Sequence, residues 1–260
     1  MPVLAAFVFG AMAGSFLNVC IFRLPKEESI IFPGSHCRSC GRAIAWFDNI
    51  PLVSFFALKG KCRHCSAKIS RQYVAVEFLT ACVFVVFYQS FGPSVKGGVY
   101  LMLTLAILVE SAIDFRHRII PDSITLPGIL IGLVLSAIFP ELQGETVFWK
   151  GLGHSFFGML LGGGFLYGMG TLAEFILKKE AMGGGDVKLL AMIGACLGVK
   201  AVLWTIFVSS LLGSIFGILQ RIRGGEEKIP FGPYLGFAAV LYLFIGESVI
   251  TWYMNSLTSF

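Results

Sequence analysis

Two aspartates in the sequence have positions that suit acid–base chemistry. Asp114 follows a hydrophobic stretch, and Asp186 comes after three glycines, Gly183–Gly185, and precedes another hydrophobic stretch. Two carboxylates a few ångströms apart do not both ionise, so one can serve as base and the other as acid in activating water. Asp186 has a second interpretation, because an aspartate after glycine often only caps the start of a helix.

Three further acids lie near these stretches and have alternative interpretations. Glu110 precedes Asp114 by one helical turn and could either repel its charge or pair with a cation from another helix. Asp122, which follows Pro121, is expected to cap the next helix rather than to react. Glu77 could hold a cationic group of a substrate or extend towards water.

Four of the seven cysteines form two closely spaced pairs. Cys37 and Cys40 make the first pair, Cys62 and Cys65 make the second, and 21 residues separate them. Two such pairs can close a tetrahedron of thiolates around Zn²⁺, and four protein ligands leave no position for a substrate. We therefore expect a structural zinc site that stabilises a segment too short to fold well by itself.

Two disulfides are the alternative interpretation of these four cysteines, and a reducing compartment would disfavour them. His36 and His64 adjoin the pairs and could replace a thiolate ligand. The remaining cysteines lie within hydrophobic stretches and are expected to be small packing residues; they are Cys20, Cys82 and Cys196.

The composition indicates an integral membrane protein. Of the 260 residues, 56% are hydrophobic and only 13% are charged, and the mean hydropathy is +0.82. Soluble domains carry about 25% charged residues, so this chain cannot be one of them. The hydrophobic runs are continuous rather than alternating, which favours helices over a transmembrane barrel.

The predicted fold is an all-α polytopic membrane protein with about eight transmembrane helices and a small zinc-ribbon-like cytosolic loop domain. Each helix needs about 20 apolar residues to cross a bilayer. The eight predicted spans are residues 2–22, 73–91, 99–114, 119–139, 148–177, 187–199, 201–219 and 231–253. The predicted domains are helix 1 (1–22), the four-cysteine domain (23–72) and a seven-helix core (73–260).

The distribution of Lys and Arg predicts the orientation of these spans. Of the 20 cations, all but Lys96, Lys150 and Lys200 fall on one side of the membrane. Because positive loops stay in the cytoplasm, both termini are expected outside and the cysteine segment inside. The net charge of +5 is then a topological bias, and no nucleic-acid partner is expected.

A transporter or zinc-gated channel is an alternative of another class, with the membrane acids as a cation path. Transporters place such acids near the bilayer midplane. In the predicted topology Asp114 and Asp186 both lie at the cytosolic face, which favours an enzyme.

The ordered motifs of the whole chain resemble those of the bifunctional type IV prepilin leader peptidases, a group of Gly-x-Gly-Asp membrane aspartyl proteases. The shared motifs are Gly14–Val19, Arg23–Pro25, the four cysteines, Asn49–Ser54, Ile113–Asp114, Pro121–Asp122, Gly183–Leu190 and Pro230–Tyr234. One departure is the short interval, Lys26–His36, before the first cysteine pair, which is much longer in some relatives.

The resemblance implies that Asp114 and Asp186 are catalytic. It implies cleavage of the leader of prepilins or pseudopilins after glycine, at the cytosolic face of the bacterial inner membrane. It further implies methylation of the new N-terminal residue, usually Phe, with S-adenosylmethionine, an activity linked to the cysteine-bearing loop. A peptidase without methylation is the alternative, although such an enzyme would usually lack that loop.

Overall fold

The computed structural model describes residues 1–178, 182–222 and 230–258. Within these ranges the chain is helical and has no strand, which confirms the predicted all-α membrane fold; two isolated bridges join His36 to Ala43 and Lys61 to Lys68. The chain divides into two compact units, residues 1–105 and 106–260.

The first unit is built on two long helices that pack closely. Its elements are α1 (Pro2–Arg23), a short helix α2 (Val53–Ala57), α3 (Arg71–Phe91), the first part of α4 (Val95–His117), and the 3₁₀ turns Leu24–Lys26 and Trp46–Asn49. Gly10 and Gly14 lie on one face of α1, where a Cβ atom would come within 2.7 Å of the α3 backbone at Ala81 and Glu77. The absence of side chains there lets the two backbones approach, as in other membrane helix pairs.

The second unit contains the end of α4 and five further helices. These are α5 (Asp122–Ile138), α6 (Phe148–Leu177), α7 (Gly184–Ile222), α8 (Gly232–Leu241) and α9 (Glu247–Thr258); a 3₁₀ turn, Pro140–Gln143, follows α5, and a π-helical turn, Tyr242–Gly246, joins α8 to α9.

Helix α7 reverses direction at Gly198. That residue has φ 78° and ψ −174°, which is not a helical conformation and is readily reached only by glycine. The side chain of Val202 lies 2.9 Å from where a Cβ of Gly194 would be, whereas eight residues of straight helix would separate these positions by about 12 Å. The 39 residues of α7 therefore form a helical hairpin, which accounts for the two spans predicted at 187–199 and 201–219.

The eight predicted spans all coincide with helices, although several boundaries differ. In the part of the chain that the structure describes, six helical segments are long and apolar enough to cross a membrane, α7 among them, and α5 is a shorter apolar helix of 17 residues. The third span, expected to end at Asp114, continues to His117, so Asp114 lies within the last turn of α4.

Part of the charge pattern lies outside the described residues. Lys179, Arg223 and Lys228 were counted on the cytosolic side, and all three fall in the segments 179–181 and 223–229. The orientation of the helices remains a prediction.

Glycines hold α6 against the first half of α7. A Cβ on Gly158 would overlap the carbonyl oxygen of Gly194, and one on Gly162 would approach the carbonyl oxygen of Leu190 to 2.5 Å. The close approach of the two helices therefore depends on these two glycines. Gly164 and Gly168, on the same helix, have no neighbour within 4 Å.

We expect Gly158→Ala to destabilise the second unit. The added methyl group must displace the backbone of α7, and overpacking of this kind costs about 1–3 kcal/mol. The measurement is the midpoint of thermal unfolding in detergent.

Gly164→Ala is the matched control on the same helix. Its methyl group enters open space, and alanine is the better helix former by about 1 kcal/mol, so its midpoint should be unchanged or slightly higher. Equal destabilisation by both substitutions would contradict the close packing of α6 on α7.

Candidate active site and metal centre

Asp114 is a buried carboxylate held by the start of another helix. It lies in the last turn of α4, and its Oδ2 accepts a hydrogen bond of 3.0 Å from the backbone N–H of Gly232, the first residue of α8. The N-terminal end of a helix carries a partial positive charge, so this contact favours an anionic group. Sequence reasoning named the motif around Gly232 but assigned it no role.

Asp186 lies in the first turn of α7. It is the third residue of the helix, and its N–H donates to the carbonyl of Gly183 at 3.2 Å. This position is inside the helix, so the N-cap interpretation of Asp186 is wrong. The side chain is half-buried, and its carboxylate interacts electrostatically with that of Asp114.

Ile120 connects the elements that carry the two aspartates. Its Cβ lies 2.8 Å from where a Cβ of Gly185 would be, and its Cδ1 lies 3.2 Å from the corresponding position on Gly232. One side chain thus packs against the glycine next to Asp186 and against the glycine that binds Asp114. The arrangement brings two carboxylates together beside bare backbone, where an extended peptide can approach and a water molecule can be activated.

Asp122 has a partner of its own beside this pair. Lys188 Nζ lies 2.7 Å from both carboxylate oxygens of Asp122, which ties the start of α5 to the first turns of α7. Helix α5 begins at Asp122, and Pro121 occupies its N-cap position, so the predicted capping role of Asp122 is wrong. Both side chains are exposed, and such an ion pair contributes little stability.

Glu110 is a fully buried acid without a partner in the described part of the chain. Neither carboxylate oxygen has a hydrogen-bond partner there. The hypothesis that Glu110 pairs with a cation from another helix finds no support in this environment.

The four paired cysteines lie together in the first unit. Their sulfur atoms are all within 4.8 Å of one another, and Cys37 Sγ lies 3.8 Å from Cys65 Sγ. All seven cysteines are free thiols, so the alternative interpretation of two disulfides is not observed. Sulfur atoms about 2.3 Å from a tetrahedral zinc are about 3.8 Å apart, so this donor set fits a metal ion of that kind.

Each cysteine pair is presented by the same backbone turn. In the first, Cys37 N–H donates to Arg42 and Gly41 N–H donates back to Cys37; in the second, Cys62 N–H donates to Ala67 and Ser66 N–H donates back to Cys62. The isolated bridges His36–Ala43 and Lys61–Lys68 enclose the two turns. These turns are typical of zinc knuckles, and they support the ribbon-like loop predicted from the sequence.

The environment of Cys37 favours its thiolate form. Backbone N–H groups of Cys40 and Ser39 donate hydrogen bonds to the Cys37 sulfur and lower the pKa of its thiol to about 6. The thiolate is the form that binds metal. The neighbouring histidines bond elsewhere, His36 to Gly34 and His64 to Arg42, so they are not needed as ligands.

Glu77 binds the backbone of the cysteine-bearing segment. Its Oε2 accepts a hydrogen bond of 2.7 Å from Leu52 N–H, and the Ser15 hydroxyl donates to the same carboxylate. The structure therefore gives Glu77 partners within the protein, which differ from the substrate cation or the water proposed from the sequence.

Comparisons with known proteins find relatives along almost the whole chain. Residues 8–91 match the bacterial peptidase A24 N-terminal domain, and residues 100–218 match the type IV leader peptidase family. The prepilin leader peptidase/N-methyltransferase of Pseudomonas aeruginosa is 35% identical, over 97% of this chain and 93% of its own. That of Aeromonas salmonicida is 36% identical, over 96% and 93%, and that of Myxococcus xanthus is 36% identical, over 86% and 65%. No solved structure gives a significant match.

Proposed function

The chain belongs to the type IV leader peptidase family, and from this membership we propose that it cleaves and then methylates prepilins or pseudopilins. Asp114 and Asp186 remove the leader peptide after a glycine at the cytosolic face of the bacterial inner membrane. The amine exposed by cleavage, usually that of a phenylalanine, is then N-methylated. The observation that supports the peptidase step is the contact of Ile120 with both Gly185, next to Asp186, and Gly232, whose N–H binds Asp114.

The two aspartates divide the proton transfers of peptide hydrolysis. The ionised carboxylate accepts a proton from water while the water oxygen bonds to the scissile carbonyl carbon. The protonated partner donates its proton to the leaving nitrogen as the carbon–nitrogen bond breaks. Gly183 and Gly184 are exposed and leave room for the extended substrate backbone, whereas the space at Gly185 is filled by Ile120.

Gly232 acts as a positioning residue in this scheme. Its N–H fixes one oxygen of Asp114, and the helix dipole of α8 adds to the interaction. A Cβ atom on Gly232 would lie 2.7 Å from that same oxygen. Glycine is thus the residue that lets the helix terminus approach the carboxylate closely enough to hold it.

We propose that the metal held by Cys37, Cys40, Cys62 and Cys65 is Zn²⁺ in a structural role. Four thiolates complete its coordination, so it would stabilise the loop without contacting substrate. The methyl donor implied by the family is S-adenosylmethionine, which supplies an electrophilic methyl group to the new amine. No glycine-rich methyltransferase fingerprint occurs in the chain, and we assign no residue to binding it.

A transporter with a zinc-bearing loop is less consistent with these features. The paired acids lie in the last turn of α4 and the first turn of α7, and transporter sites occur near the middle of the bilayer. A peptidase without methylation is disfavoured by the complete four-cysteine cluster.

We expect Asp114→Asn and Asp186→Asn each to lower leader cleavage by about 10²–10⁴-fold, because an amide neither accepts nor donates the required proton. Mass spectrometry of a purified prepilin, incubated with each variant in detergent, measures the loss of the leader. Asp122→Asn is the matched control, since Asp122 pairs with Lys188 at the surface. Full cleavage by either the Asp114 or the Asp186 variant would contradict the proposal that these two residues catalyse cleavage together.

We expect Gly232→Ala to lower kcat for cleavage by about 10–100-fold, because displacement of a catalytic group by about 1 Å costs roughly that much. The control is Gly236→Ala, one turn further along α8, where the added methyl group meets Ile107 and Ser111 but not Asp114. It should lower the unfolding midpoint while the kcat of the folded enzyme is retained. Equal kcat values for the two variants would contradict the proposal that Gly232 positions Asp114.

We expect about one equivalent of zinc per chain and its loss in Cys40→Ser, because a tetrahedral site loses a ligand. Elemental analysis of the purified protein measures the metal, and the prepilin assay with S-adenosylmethionine reports the added methyl mass. Methylation should fall in Cys40→Ser while leader cleavage persists. Cys82→Ser, outside the cluster, should keep both; methylation that persists without metal would contradict the structural role.

A further inference from the structure

Residues 46–57, here called the aromatic turn, form a compact unit next to the cysteine pairs. It consists of the 3₁₀ turn Trp46–Asn49 and helix α2. The Ser54 hydroxyl accepts a hydrogen bond from Ile50 N–H and donates one to the carbonyl of Phe47, each 3.0 Å long. Arg63 adds a two-point ion pair with Asp48, at 2.6 and 2.7 Å. The turn is therefore an ordered element whose side chains have fixed directions.

The aromatic turn exposes a dense group of large apolar side chains. Trp46 is 80% exposed, Phe56 69% and Val53 61%, and Phe47 and Ile50 are exposed as well. Five such residues within twelve positions make an apolar patch that a water-facing surface rarely carries. Burying these side chains in an apolar medium would be favourable.

A hydrogen bond to a membrane helix places the aromatic turn at the edge of the bilayer. Leu52 N–H donates to Glu77 Oε2 at 2.7 Å, and Glu77 is the seventh residue of α3, about 9 Å along the helix from its start. Leu52 has φ 63°, a backbone conformation that residues with a side chain rarely adopt. This strained backbone persists because the hydrogen bond to Glu77 fixes it.

The flanking sequence suits a lipid surface. The cysteine-bearing segment continues at both ends into apolar helices, α1 and α3, so it cannot leave the membrane surface. Lys59, Lys61 and Lys68 follow the aromatic turn, and cations of this kind are attracted to anionic headgroups. Tryptophan and other amphipathic aromatic residues favour the same boundary between headgroups and acyl chains.

We propose that the aromatic turn docks into the bilayer interface, with Trp46, Val53 and Phe56 inserted between the lipid headgroups. Insertion holds the four-cysteine loop against the membrane surface at a fixed height. The proposal rests only on the chain being embedded in a membrane, and it is therefore tested without any assay of peptidase or methyltransferase activity.

The test is depth-dependent quenching of Trp46 fluorescence. Trp149, Trp204 and Trp252 are replaced by Phe, and the full chain is reconstituted into phosphatidylglycerol-containing vesicles with lipids brominated near the headgroup or deep in the acyl chain. We expect Trp46 to be quenched at least about twofold more by shallow than by deep bromines and to be shielded from iodide in the water. If the triple variant does not fold, the difference in emission between the natural chain and Trp46→Phe gives the same quantity.

Two results would overturn the proposal. Strong quenching of Trp46 by iodide, with none by brominated lipid, would place the aromatic turn in water. Shielding from iodide that arises only after a prepilin is added would show that the patch receives the substrate helix instead of lipid. Phe56→Ser in the Trp46-only chain adds a second readout, because loss of a neighbouring apolar anchor should increase quenching by iodide.

Discussion

A carboxylate inside a membrane protein must find its partner within the protein, because hydrocarbon offers neither water nor counterions. Three acids meet this requirement in different ways, and a fourth does not. Asp114 takes a backbone N–H from the start of α8, Glu77 takes one from Leu52, and Asp122 pairs with Lys188 near the surface. Glu110 alone among these four has no hydrogen-bond partner in the described ranges. These contacts hold the start of α8 beside α4, the segment around Leu52 beside α3, and the start of α5 beside α7.

The same requirement explains why backbone amides, rather than cations, hold the two most buried of the partnered acids. A backbone donor binds an anion without adding a second charge that would itself need solvation, so the desolvation penalty of an ion pair is avoided. The donor must come from backbone that is not already bonded within a helix. The first amide of α8 and the strained residue Leu52 satisfy this condition. For the proposed catalytic role of Asp114, this means that the hydrogen bond from Gly232 occupies only one carboxylate oxygen, Oδ2.

The sequence allowed the hydrophobic helices, the paired acids and the paired cysteines to be predicted, because all three depend on residue type and spacing. A span must be apolar for about 20 residues, and the two cysteine pairs have the recognisable spacing of zinc knuckles. Gly232 and Leu52 could not be predicted as partners, since every residue except proline offers a backbone N–H. The one local signal was Pro233, which is typical of the start of a helix. Ser66 is another backbone feature that residue type does not reveal. It adopts φ 55° at the position in the second knuckle that Gly41 occupies in the first, and a serine in the sequence does not predict a positive φ.

The division of the chain into two units has a consequence for the proposed pair of reactions. The paired aspartates lie in residues 106–260, and the cysteine cluster, Glu77 and the aromatic turn lie in residues 1–105. Because the two sets share no residue, loss of the cysteine cluster need not remove the groups proposed to cleave the peptide bond. The proposed steps are nevertheless ordered, since the amine that accepts the methyl group is created only when the peptide bond breaks. Methylation therefore depends on cleavage through the substrate, whereas cleavage does not depend on methylation.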